Sequence, residues 1–198
     1  MAGAHEAMEH HEHAEHAASS NNKKVALLIA LLALFLAFSE TLGKGAQTES
    51  ISLNIKASDT WNFFQAKTIR QTTLRAHADE MAVQLTGATD EAVKGAMTKQ
   101  IEAWRATAAR YESDPKEKDG RKELRAQAEH YEHDRDTHLA RYHHYEVASA
   151  AFQIGIVLAS ATIITGMVVL SWIAVGLGGL GLAFMAIGLF APHAVHIV

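Results

Sequence analysis

The sequence predicts an all-α integral membrane protein with three transmembrane helices and an extramembrane helical domain, either a helical hairpin or a coiled-coil, three-helix arrangement. The 198 residues include only two prolines, and alanine is abundant, which favours long helices over sheets. Residues 147–198 contain no Asp, Glu, Lys or Arg, and this run is long enough for two spans of about 20 residues each. A shorter apolar run, Val25–Phe38, lies near the N-terminus.

The composition excludes several classes of function. The chain has no cysteine, which rules out disulfides, thiolate nucleophiles and Cys-based metal sites. Acidic and basic residues are balanced along the middle segment, so there is no electrostatic footprint for nucleic acid. The glycines of residues 176–181 match the dinucleotide-binding fingerprint only formally, because they lie in an apolar run with no strand before them. We therefore expect a non-enzymatic protein without a resident cofactor.

Residues 1–22 form a leader rich in His and Glu, which we expect to be disordered or at most marginally helical. Imidazole and carboxylate groups suit Zn, Ni or Cu, so weak and exchangeable metal binding is one expectation for the leader. The alternative is a solvated polar tail with incidental metal affinity. The candidate ligands are His5, His10, His11, His13 and His16.

The first predicted transmembrane helix covers residues 23–43. Its apolar core, Val25–Phe38, is shorter than the roughly 20 residues that a span requires. It reaches that length when Lys23 and Lys24 extend to one interface and residues 39–43 lie at the other. A signal peptide is the alternative, which the long acidic leader disfavours.

Residues 44–146 are predicted to form the extramembrane helical domain. Residues 48–85 lack Gly and Pro, so one long helix should continue from the first span and stop near Gly87. A second helix should restart at Thr89 and run to about Ser113, with an apolar stripe at spacings of three and four. The stripe consists of Val93, Met97, Ile101, Trp104, Ala108 and Tyr111.

A third helix is predicted to begin at Asp114, because Asp114-Pro115 followed by Glu117 resembles a capping box. Heptad spacing along this helix predicts a coiled-coil seam. Running on into the apolar C-terminal region, the helix would have about 55 residues, or about 80 Å. The seam consists of Leu124, Ala128, Tyr131, Arg135, His138, Tyr142 and Tyr145.

The uncharged run 147–198 is predicted to be a transmembrane hairpin, with helices at 147–170 and 173–190 and a turn at Ser171-Trp172. Small residues recur along both helices, which allows helices to approach closely in a bilayer. Either the two helices pack on each other or they contact neighbouring subunits, and both can be true. The candidate packing residues are Ala151, Gly155, Ala159, Thr162 and Gly166 on the first helix, and Gly176, Gly179 and Ala183 on the second.

A second group of histidines lies before the hairpin. His130, Asp134 and His138 follow at intervals of four, which places them along one helix face, where two imidazoles and a carboxylate could hold a metal. The alternative is that they are solvated or that His138 sets the register of the seam.

The stretch Asn54–Ile69 reads NIKASDTWNFFQAKTI. It resembles the signature of an uncharacterised family of bacterial membrane proteins, number 4337 among the domains of unknown function. The resemblance covers nearly the whole chain and implies a His/Glu-rich leader, one span, a charged helical segment and a terminal hairpin. Members often carry Arg or Lys in the hairpin turn, where this sequence has Ser171-Trp172. The family has no established activity.

These features predict a multi-pass protein of the bacterial inner membrane. Lys23 and Lys24 favour a cytoplasmic N-terminus, as does the family resemblance, whereas Lys44 and Arg141 favour the reverse. With the N-terminus in the cytoplasm, the helical domain is periplasmic. The leading hypothesis is a self-associating scaffold or assembly factor, a homo-oligomer with an unknown protein partner. The alternative is a metal- or proton-linked channel or transport component that uses the His-rich segments.

Overall fold

In a computed structural model, the chain forms four α-helices and, within residues 2–195, no strand. The helices are α1 (Ala2–Gly87), α2 (Glu91–Glu112), α3 (Arg121–Thr165) and α4 (Val168–Phe190). The structure describes residues 22–195 in full and residues 2–21 by backbone alone, so the predicted leader lies largely outside the fully described residues. The all-α prediction is confirmed.

Within residues 22–195, three helices are long and apolar enough to cross a membrane, judged by length and composition: α1 from Asn22 onward, α3 and α4. The prediction of three transmembrane helices is confirmed to that extent. The chain divides into two compact units. We call Met1–Glu49 with Thr137–Val198 the apolar unit, and Ser50–Asp136 the charged unit.

The charged unit is a long helical hairpin. The α1 helix ends at Gly87, and the Asp90 carboxylate begins α2 by accepting hydrogen bonds from the backbone N–H groups of Ala92 (2.7 Å) and Val93 (3.4 Å). Such a cap satisfies amide groups that the first turn leaves unpaired. The predicted stop at Gly87 is therefore confirmed, and the restart lies one residue later than the predicted Thr89.

The two returning helices of the charged unit follow one another along α1. The later part of α1 contacts α2, since Arg105 lies 3.3 Å from Asp79. The earlier part contacts α3, since Trp61 Nε1 donates to Glu132 Oε1 at 2.9 Å. Of the arrangements predicted for this domain, the structure has the helical hairpin.

The third helix begins later than predicted. Asp114 does form one turn, in which its Oδ1 accepts from the Glu117 N–H at 3.2 Å and its carbonyl accepts from the Lys118 N–H at 2.7 Å. Lys118 then takes a left-handed conformation, φ 57°, which an α-helix of L-residues does not propagate. The helix starts instead at Arg121 and has 45 residues, fewer than the predicted length.

The hairpin turn lies earlier than Ser171-Trp172. The α3 helix ends at Thr165, and Gly166 has φ 71° and donates its N–H to the Thr162 carbonyl at 2.9 Å. Glycine accepts this left-handed conformation without steric cost, so it ends the helix where bulkier residues would not. The hairpin helices are therefore α3 and α4 with the bounds given above, instead of 147–170 and 173–190.

The apolar unit packs α1, α3 and α4 at close range. One buried cluster joins Val25, Ala159 and Ala174, and another joins Leu32, Ala148 and Phe152. Each cluster is completed by half-buried neighbours from these helices. Their small members allow backbones to approach, as is typical of membrane helices.

Candidate functional site

A buried lysine lies at the centre of the charged unit. Lys67 is on α1 and its side chain is only 7% exposed. Its Nζ donates to Asp119 Oδ2 at 2.7 Å and lies 5.3 Å and 4.9 Å from the ring centroids of Phe63 and Tyr111. A buried ammonium is costly unless it is paired, and aromatic faces supply further attraction. Lys67 therefore holds the loop that contains Asp119 against α1.

Gln71, one turn further along α1, joins α1 to both α2 and α3. It is 2% exposed. Its Nε2 donates to the Ala108 carbonyl and to Glu112 Oε2, both at 2.9 Å. Its Oε1 accepts from Arg121 Nη1 at 2.6 Å. A buried amide with both ends paired specifies one arrangement of the three helices.

Arg121, the first residue of α3, completes what we call the polar junction: Lys67, Gln71, Glu112, Asp119 and Arg121. Its guanidinium donates to Thr68 Oγ1 and Glu112 Oε2, both at 2.9 Å. The hydrogen bond from Gln71, together with the charge of Arg121, lowers the pKa of Glu112 against the opposing effect of burial. The carboxylate of Glu112 is thus held in its charged form.

The connection between α2 and α3 is closed by Glu123. Its carboxylate accepts from Ser113 Oγ at 2.6 Å and from the Asp114 N–H at 3.2 Å. The hydrogen bond from Ser113 lowers the pKa of Glu123. A side chain at Gly120 would collide with the backbone of Ser113 and Asp114, so only glycine fits there.

The polar junction positions helices, because its charged groups are directed at one another. The groove beside it, about 280 Å³, is lined by Arg75, Asp79 and Arg105, and two of these already form an ion pair. This arrangement holds α1, α2 and α3 of the charged unit in one order.

The predicted metal ligands on α3 fall in different units. His130 Nε2 lies 3.5 Å from Asp134 Oδ2, and both side chains are exposed at the surface of the charged unit. His138 belongs to the apolar unit. Among residues 22–195, no group of three His, Cys, Asp or Glu is arranged to hold a metal. His5, His10, His11, His13 and His16 lie outside the fully described residues, so metal binding by the leader stays a prediction.

The small residues of the hairpin have two different environments. On α3 the predicted stripe is buried inside the apolar unit, apart from Gly166 in the exposed turn: Ala151, Gly155, Ala159 and Thr162. On α4 the predicted residues Gly176, Gly179 and Ala183 are exposed. The buried small residues of α4 are different ones: Ala174, Gly178, Gly181 and Gly188. Packing of the two helices on each other thus uses the opposite face of α4.

The polar junction has no counterpart among the predictions made from the sequence. Lys67 stood only inside the family signature, and Gln71 and Arg121 were not singled out. A signal was present, since Phe63, Lys67 and Gln71 are spaced by four on one face of α1. Lys67 and Gln71 are buried and Phe63 is 43% exposed, so this spacing indicates a shared helix face but not its burial.

The signature resembling the uncharacterised family contains Lys67 of the polar junction and Trp61, which donates to Glu132. Neither the curated proteins nor the solved structures include a match to the chain. The sequence profile of one family, described as "Domain of unknown function (DUF4337)", matches residues 21–191. The match covers both compact units, and the chain belongs to this family.

Proposed function

We propose that the protein is a non-enzymatic, multi-pass membrane scaffold that self-associates through one face of α4. The observation that carries the proposal is that α4 has two faces of small residues, of which the chain itself uses one. The second face is centred on Gly176, Gly179 and Ala183, with Ala186 beside them.

On the face that the chain uses, the glycines are required by close neighbours. A Cβ at Gly178 would lie 2.8 Å from Leu32 Cδ2, and one at Gly181 would lie 2.7 Å from Phe152 Cε1. On the other face, a Cβ at Gly176 or Gly179 would meet no atom within 4 Å. Packing among the described residues gives no reason for these two glycines.

A bilayer supplies a reason for the second face. Lipid tails are as apolar as Leu, so membrane helices associate through close packing, for which small residues are suited. Large exposed side chains stand at the two ends of this face, Trp172 at 72% and Phe190 at 81%. A second copy of α4 would fit between them, with Gly179 at the point of closest approach.

The charged unit would then be the part that the assembly presents to a further protein. Its predicted heptad seam is not free for this purpose, since Leu124 and Ala128 are buried within the unit. Self-association is accordingly assigned to α4, and the charged unit contributes a rigid helical surface. We infer residence in a bacterial inner membrane with the N-terminus in the cytoplasm, supported by Lys23 and Lys24.

Cysteine cross-linking in native membranes tests this proposal, and the chain has no cysteine of its own to interfere. Gly179→Cys and Ala183→Cys should each give a cross-linked dimer with a short bismaleimide. Leu180→Cys is the matched control, because residue 180 is also exposed but is turned by about 100° from residue 179. It should remain monomeric.

Monomer at all three positions would contradict self-association through this face. Equal dimer yields at 179 and 180 would indicate random collision in the membrane instead of a packed interface. A second measurement, energy transfer between labelled copies in liposomes, should fall for Gly179→Leu. Gly95→Leu is its control, since a side chain at Gly95 likewise meets no neighbour.

A further inference from the structure

An open groove of about 340 Å³ lies in the apolar unit between α1 and α3. Its lining combines apolar side chains, Leu42 and Leu189, with the polar side chains of His138, Arg141 and Tyr145. We refer to it as the interhelical groove. No residue of the polar junction or of the exposed α4 face takes part in it.

The groove lies where the apolar segments of all three candidate spans end. Thr41 and Leu42 follow the apolar run of α1, and Leu189 lies in the last turn of α4. Arg141 lies on α3 just before the uncharged stretch that begins at Val147. If these helices cross a bilayer, this level is that of the lipid headgroups, where Arg and Tyr side chains are favoured.

Arg141 has a hydrogen-bond donor that lacks an acceptor among the described residues. Its Nε is buried and has no hydrogen-bond partner among the described residues. Other arginines of the chain are paired with carboxylates, for example Arg121 with Glu112 at 2.9 Å and Arg125 with Glu129 at 2.8 Å. The interhelical groove contains no carboxylate among its lining residues. A buried guanidinium donor without an acceptor is costly and selects an anion.

We propose that the interhelical groove binds one anionic phospholipid. Arg141 donates to the phosphate, and His138 supplies a neighbouring polar contact. The acyl chains run over Leu42 and Leu189, which are 38% and 51% exposed. The apolar lining distinguishes a lipid phosphate from a free phosphate ion, which would leave these leucines uncovered. The site requires that the helices lie in a bilayer, but it does not require self-association.

Two variants remove the site in independent ways. Arg141→Gln removes the charge and keeps a polar side chain. Gly45→Leu leaves the charge in place and fills the groove, because residue 45 lines it and a Cβ there meets no atom within 4 Å. The matched controls are Arg110→Gln, an exposed arginine on α2, and Gly95→Leu, an exposed glycine with equally open surroundings.

Native mass spectrometry of the full chain released from detergent micelles measures the binding. The probes are phosphatidylglycerol, a diacylglycerol with the same chains, and inorganic phosphate. The wild type should retain one phosphatidylglycerol and no diacylglycerol, and a large excess of inorganic phosphate should not displace the lipid. Arg141→Gln should weaken retention by about tenfold, the effect of one charged hydrogen bond. Gly45→Leu keeps that charge and should weaken retention at least as much, because its side chain occupies the space of the lipid. Both controls should bind as the wild type does.

Unchanged retention in Gly45→Leu would overturn the proposal, even if Arg141→Gln failed to fold, since the groove would then be filled and the lipid still bound. Equal loss in Arg110→Gln would overturn it too, because binding would follow total charge. Displacement of the lipid by inorganic phosphate would also overturn the proposal, because the groove would then bind a free anion. Equal retention of diacylglycerol would show that Arg141 takes no part.

Discussion

The contacts that stabilise the apolar unit differ in kind from those that stabilise the charged unit. In the charged unit, α1 is joined to its neighbours by buried polar side chains, above all Lys67 and Gln71. In the apolar unit, contacts depend on the absence of side chains, as at Gly178 against Leu32 and at Gly181 against Phe152. Buried polar groups specify one helix order through their paired hydrogen bonds, and small residues do so through close packing, as is typical of membrane helices.

The largest expected effect of a single substitution concerns Lys67 in the charged unit. Lys67→Ala removes the ion pair with Asp119 and the contacts of Nζ with the Phe63 and Tyr111 rings, and should cost about 3 kcal/mol of unfolding free energy. Urea unfolding in mild micelles measures this. Trp172→Phe serves as the background, so that Trp61 and Trp104 of the charged unit alone report by fluorescence.

The matched control is Lys56→Ala, an exposed lysine of the same signature, which should cost little. If the two alanine variants unfold at the same urea concentration, burial of the Lys67 charge does not stabilise the charged unit. The contrast between the two units would then lose its main support.

The next largest effect is expected in the apolar unit. Gly181→Val places a side chain against the Phe152 ring, where even a Cβ would lie 2.7 Å from Cε1, and overpacking of this kind costs about 2 kcal/mol. Loss of helical circular dichroism on titration with dodecyl sulfate measures it at a protein dilution that keeps the chain monomeric. Gly179→Val is the control, since a side chain there meets open space.

Equal destabilisation by the two valines would mean that helix propensity, and not close approach, sets the cost. That outcome would contradict the packing of α3 and α4 through Gly181. A loss of stability confined to Gly181→Val would instead support close packing on the Gly181 face of α4 and open surroundings on the Gly179 face.

A smaller effect is expected for Trp61, which links α1 to α3 in the charged unit. Trp61→Phe keeps the ring packing and removes the hydrogen bond to Glu132, at an expected cost of about 1 kcal/mol. Trp104→Phe is the control, because Trp104 contacts His77 through its ring and donates no hydrogen bond to a residue in the described part of the chain. Urea unfolding followed by circular dichroism compares them, and equal losses would exclude the Trp61 hydrogen bond as the cause.

The two units also differ in how much of their structure the sequence predicts. Helix ends in the charged unit follow local chemistry, so residue type identified the stop at Gly87 correctly and the restart to within one residue, at Asp90 instead of Thr89. The start of α3 was not, because Asp114 forms a real cap whose helix is interrupted by the left-handed Lys118. Local signals therefore predict where a helix can begin, while the chain that follows decides whether it continues.

In the apolar unit, the number of spans follows from composition, but the orientation of each helix does not. The α4 helix is apolar all round, so its pattern does not distinguish the buried glycines from the exposed ones. The turn was assigned to Ser171-Trp172 by the interfacial preference of Trp, whereas the backbone requirement for positive φ places it at Gly166. The polar junction depends on contacts between residues as far apart as Gln71 and Arg121, which no local pattern contains.

The smallest expected effect is a dependence of the charged unit on pH. The hydrogen bond from Gln71 and the charge of Arg121 lower the pKa of Glu112 below its ordinary value of 4.5. As the pH falls through 4.5 towards the lowered pKa, the unfolded chain takes up a proton before the folded chain does, so stability present at neutral pH is progressively lost. Urea midpoints in the Trp172→Phe background should thus decrease between about pH 6 and about pH 3.

Glu112→Gln should flatten this decrease and Glu102→Gln, an exposed control on α2, should not. An unchanged slope in Glu112→Gln would show that the Gln71–Glu112–Arg121 contacts contribute no pH-dependent stability, and the polar contrast between the units would then rest on Lys67 alone.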